Sequence, residues 1–157
     1  LKTMKLLFFI VAESTTEDDG DHLLLKHFSN FSAMPFGHVE SSIYNSILNN
    51  EGKFDFFKIT NSSLERTSQY PKYSEKQYLD IIEPGITQEI EFALGNLKSL
   101  NNNLIKYTAY DLVELSHKWY SWRKNYSVAV RLKKYSSSIP KEDIIGDIKR
   151  YKLSFFL

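Results

Sequence analysis

In the stretch Ile86-Thr87-Gln88-Glu89-Ile90-Glu91-Phe92-Ala93-Leu94-Gly95-Asn96-Leu97-Lys98-Ser99-Leu100, apolar side chains at Ile86, Ile90, Ala93, Leu94, Leu97 and Leu100 recur at the spacing of one helix face. Thr87 stands near its start, Glu83, Pro84 and Gly85 punctuate the approach, and Asn101, Asn102 and Asn103 stop it. The same period returns on both sides. Downstream, Thr108 with Asp111 forms a capping box in which Asp replaces the usual Glu, and Leu112, Val113, Leu115, Ser116 and Trp119 supply the core face of the helix it opens. Ser136, Ser137 and Ser138 read as a loop, and Pro140 with Glu142 and Asp143 opens a last helix with acids at its positive end. Upstream, Val39, Ile43, Tyr44, Ile47 and Leu48 trace a helix, Leu23, Leu24, Leu25 and Phe28 form a shorter apolar group, and residues 2 to 13 form the first helix.

Between these helices, Phe54 to Thr60 is the best strand candidate. Residues 61–76 are rich in Ser, Thr, Asn, Gln and Tyr and read as a surface connection, followed by a short helix around Glu75 to Ile82. Thr15 to Asp21 has no apolar member and reads as a solvated loop. The fold class expected is mainly α: a compact helical bundle of five or six helices with at most a small β-hairpin. At 157 residues with 42% hydrophobic and 25% charged side chains, the chain supports one core, so residues 1–157 are expected to form a single domain. The apolar run Leu6 to Ala12 follows Lys2 and Lys5 but falls far short of the ~20 residues that span a bilayer, and no A-x-A-like site follows it. It reads as a buried helix; no membrane partner and a cytoplasmic location are expected. The apolar end, Leu153 to Leu157, calls for burial on its own core, on a partner or on a second copy.

The chain has no cysteine, which removes disulfides, thiolate zinc sites, iron–sulfur clusters and cysteine nucleophiles. Its four histidines, His22, His27, His38 and His117, make no metal-ligand motif, and its six glycines form no phosphate-cradling loop or nucleophile elbow. No metal, cofactor or catalytic residue is therefore expected. A hydrolase would have to assemble His117 with Ser116 or a carboxylate by tertiary convergence. The pairs Glu89 with Glu91 and Asp143 with Asp147 read as solvated helix faces.

Two constellations stand out. Phe31 to Tyr44 places Pro35 and Gly37 among aromatics just before a helix, which reads either as a rigid corner or as a pocket for a partner residue. Asp111 to Trp122 reads either as a helix end with His117 hydrogen-bonded and Trp119 and Trp122 covering the core, or as an aromatic hot spot. Charge is also uneven: residues 1 to 117 carry 10 basic and 16 acidic side chains, a net −6, while residues 118 to 157 carry 10 and 3, a net +7. The basic end either packs near acids of its own molecule or meets nucleic acid.

The same segments resemble the Panacea antitoxin domain, a family that includes SocA-like antitoxins and phage-associated proteins. Leu1 to Phe9 looks like its first helix, Phe31 to Tyr44 is similar to its motif of an aromatic, Ala, aromatic or Pro, then Gly-Pro-Val and a helix with a Tyr, Leu112 to Trp122 resembles its Leu-Val-x-x-Ser/Thr-His segment with a following Trp, and Ile139 to Ile145 its closing helix. Where the family has Gly-Pro-Val, this chain has Gly37, His38 and Val39, which loosens the helix's first turn and adds a titratable group. The resemblance implies a mainly helical, non-enzymatic protein that neutralises a cognate toxin by contact or by presenting it to a cellular protease. On that implication, Phe36, Gly37, His38, Tyr44, His117, Trp119 and Trp122 are the expected partner-binding residues. A nucleic-acid-binding regulator using the basic C-terminal region is the alternative.

Overall fold

In the computed structural model, which describes residues 1–15, 22–49, 57–60, 63–66 and 82–147, helix α1 (Lys2–Glu13) runs through the middle of the molecule. Phe8, Phe9, Val11 and Ala12 are fully buried, as befits a helix apolar on more than one side. Around it pack α2 (Leu23–His27), α4 (Pro84–Leu100), α5 (Ala109–His117) and α7 (Lys141–Asp147). The remaining helices are α3 (Ser41–Leu48) and α6 (Tyr120–Arg131), and a 3-10 turn spans Leu104–Lys106. Leu24, Leu97, Leu104, Leu112, Leu115, Trp119 and Ile144 join the α1 phenylalanines in one contiguous core.

The bundle expectation is corrected in one respect: a three-stranded antiparallel sheet is built into the helices. Strand β1 (Phe31–Met34) pairs with β2 (Gly37–Glu40) from Phe31 opposite Glu40 to Met34 opposite Gly37, leaving Pro35 and Phe36 as the turn. On its other edge β1 pairs with β5 (Ser137–Ser138), which had read as a loop. Phe31 and Ala33 face the core while Ser32 and Met34 are half-covered, the alternation of a strand with one buried face. Val39 therefore lies in β2, and the helix expected from it begins only at Ser41, where the Glu40 carboxylate accepts the Ile43 N–H at 2.7 Å.

The described residues hold seven helices rather than five or six. A separate hairpin joins β3 (Phe57–Ile59) to β4 (Leu64–Arg66), so the strand expected over Phe54 to Thr60 is present at residues 57–59, its residues 54–56 lying outside the described ones, and residues 64–66 of the expected surface connection are a strand. Most of the 61–76 connection, all but Ile82 of the short helix expected at 75–82, all but Thr15 of the acidic loop and the apolar C-terminus lie outside the described residues; Thr15 itself is buried rather than solvated, its Oγ1–H donating to Ala12 O at 2.8 Å. No described helix is long and apolar enough to cross a membrane. The Thr108 capping box is present: Thr108 Oγ1 accepts from Asp111 N–H at 3.2 Å, and Asp111 accepts from Thr108 N–H at 2.8 Å.

Candidate functional site

The site begins at the β1–β2 turn. Pro35 presets one backbone angle, and Gly37 takes φ +89°, which other residues adopt only with strain. A Cβ on Gly37 would also collide with Ser116 Oγ and Lys5 Cε. Two side chains from the α5–α6 corner hold the turn by its carbonyls. His117 Nε2–H donates to Pro35 O at 3.1 Å, and Trp122 Nε1–H donates to Met34 O at 2.8 Å. Their rings stack 3.8 Å apart, and Tyr126 stacks on Trp122 at 4.8 Å. Burial lowers the His117 pKa, opposed by Glu114 and by the bond to Pro35. Between these clamps the Phe36 ring points outward, 51% exposed.

Beneath the turn, His38 is fully buried and stacked flat on Phe8, with ring centroids 3.5 Å apart. Its Nδ1 meets Ser116 Oγ at 2.8 Å and its Nε2 meets Ser121 Oγ at 2.8 Å. Ser116 Oγ also accepts the His38 N–H at 3.1 Å, and Ser121 Oγ lies beside the Asp147 carboxyl, so each hydroxyl meets a second group besides the ring. Burial, with Lys5 and His117 nearby, drives the His38 pKa well below its ordinary value, so the ring is neutral. Lys5, also buried, donates to His38 O, and burial pulls its pKa down to about 7. At the other end, Asp147 Oδ2 accepts the Ser121 N–H at 2.7 Å and so caps α6 from α7, and burial raises its pKa.

Gly37, His38 and Trp119 thus lie inside the molecule, Trp119 between α5 and α6 with its ring edge-on to Phe8 at 5.0 Å. They present no surface to a partner as folded, because the core claims all three. Phe36, His117 and Trp122 come together at the turn, while Tyr44, half-buried on α3, takes no part in these bonds and stacks. Ser116 pairs with His38 rather than His117, and both are sealed from any substrate. Asp143 and Asp147 are not a solvated pair: Asp143 accepts from Lys124 and Asn125 at 2.8 Å, and Asp147 is buried. Asp147 is expected on a solvated face, and neither Lys5 nor Ser121 is expected in a site; a cation in helical phase with Phe8 and Phe9 is the one signal the sequence offers for them. Among the described residues no three His, Asp or Glu side chains are grouped to hold a metal. No family model, curated protein or solved structure matches the chain.

Proposed function

We propose that this chain is an antitoxin-like protein-binding domain that neutralises a cognate toxin by direct contact or by presenting it to a protease. One observation carries the reading: Phe36 stands half exposed at the tip of a two-residue turn whose carbonyls are tied down by His117 and Trp122. An aromatic anchor fixed before contact loses little conformational freedom on binding, which is what makes such residues energetically dominant in interfaces. The order of Panacea-like motifs supplies the class of partner, and two of those motifs converge on this turn. The interior His38 network supports the same surface from below by fixing the backbone of β2.

The test is genetic and then physical. The product of the gene beside this one, expressed alone, should arrest growth of the host, and co-expression of this chain should relieve the arrest. Phe36→Asp should lose that relief while the melting temperature stays within about 2 °C of the parent, as for most surface substitutions. Relief retained by Phe36→Asp would overturn the site. A harmless neighbour with no other toxin relieved would overturn the antitoxin reading.

A further inference from the structure

The inward side of α6 is spoken for: Ser121, Asn125 and Ala129 are buried, and Trp122 and Tyr126 reach the turn. Its outward side carries Tyr120, Arg123, Lys124, Ser127 and Arg131, all exposed and in helical phase, and the chain continues into exposed Lys133, Lys134 and Tyr135. From residue 120 to residue 131 this stripe is about 16 Å long. We propose that it binds single-stranded nucleic acid, on a surface separate from the Phe36 turn.

Three observations carry this. First, the charge is one-sided where it matters. Asp143 of α7 takes up Lys124 at 2.8 Å, but Arg131, Lys133 and Lys134 have no ion-pair partner among the described residues. Second, tyrosines stand at both ends: Tyr120 is 38% and Tyr135 64% exposed, which suits bases stacking where cations hold the backbone between them. Third, the turn after α6 is strained. Lys134 N–H reaches Ala129 O at 2.9 Å and Lys133 N–H reaches Val130 O at 3.0 Å, a Schellman motif, which puts Lys133 at φ 54° where glycine is the comfortable residue. A non-glycine residue held there marks a demand other than backbone fit. Cations near a helix C-terminus offset its dipole, which accounts for the charge at Arg131, Lys133 and Lys134 but not for the tyrosines or for a non-glycine residue at φ 54°. A lipid surface would need a continuous apolar face, whereas only Val130 and Leu132 interrupt this stripe, both at one end.

The experiment is fluorescence anisotropy with a labelled mixed-sequence DNA single strand of about 16 nucleotides, its duplex, and anionic phospholipid vesicles as a third arm. The single strand should bind best. For three phosphate contacts its affinity should fall roughly twentyfold between about 50 and about 200 mM salt. Lys133→Gly is the informative variant, because it relieves the backbone: the melting temperature should rise by about 3 °C while the salt slope drops by roughly a third. The pair Arg131→Ala, Lys134→Ala should weaken binding at least tenfold. Phe36→Asp should leave nucleic-acid binding intact, and both cation variants should leave toxin relief intact, so either reading can fail alone. The proposal is overturned if the single strand does not bind at low salt, if the duplex binds equally well, if vesicles bind and the single strand does not, or if Lys133→Gly and the double variant bind like the parent.

Discussion

His38 is the residue on which most of the site converges. Its ring is a spacer of fixed length between two serines, and its flat contact with Phe8 makes it part of the core as well as of the polar chain. His38→Ala removes the packing and strands the hydroxyls of Ser116 and Ser121 inside the molecule, so it should destabilise the fold by about 3 kcal/mol, read by urea denaturation. A loss below about 0.5 kcal/mol, the size typical of surface sites, would mean that the network is not formed. In the sequence this histidine stands out as a departure from Gly-Pro-Val and is expected at a partner surface rather than inside the core. Nothing local places Ser116 and Ser121 on either side of it, since they arrive from 78 and 83 positions further along the chain.

At the scale of elements, four of the seven described helices share a device: carboxylates accept the free N–H groups at the helix start. Asp111 does so within its own helix, and that one was readable because both partners sit three residues apart. Glu40 caps α3 from the end of β2, Glu89 of α4 accepts Leu23 and Leu24 N–H of α2 at 3.2 and 3.0 Å, and Asp147 of α7 caps α6. The last two act across tertiary contacts and look like ordinary helix-face acids in the sequence. Glu89→Ala should cost about 1 kcal/mol and speed amide exchange at Leu23 and Leu24 ahead of α1. Uniform exchange across both helices would show that α2 does not depend on this contact. The strands were hidden for a related reason: β1 is four residues long, and the partner on its far edge is the two-residue β5, 106 positions away from Ser32 at Ser138. Val39 fell into helical phase with Ile43 by coincidence of spacing.

For the molecule as a whole, the interior amine sets how stability follows pH. Lys5 has a pKa of about 7 in the fold against an ordinary 10.5, so the unfolded chain holds the extra proton through that window and stability rises with pH across it. Between about pH 7 and about pH 9.5 the gain should be about 3 kcal/mol, and Lys5→Met should flatten it. A parent and variant that melt in parallel over this range would show that the amine is not desolvated. His38 acts in the same sense at lower pH, because the unfolded chain gains a proton below the ordinary histidine pKa that the buried ring refuses. The helical class was legible throughout from apolar periodicity. The polar interior was not, because α1, β2 and the α5 to α7 segments each contribute only one or two of its groups.

The far ends of the described chain depend on each other: β1 lacks its outer neighbour until Ser138 arrives, and α6 lacks its cap until Asp147 does. During synthesis, then, a nascent chain halted before residues 137–147 clear the ribosome carries an open edge on β1 and an uncapped α6, and quality-control proteases would meet it as an unfinished product rather than as a smaller working domain.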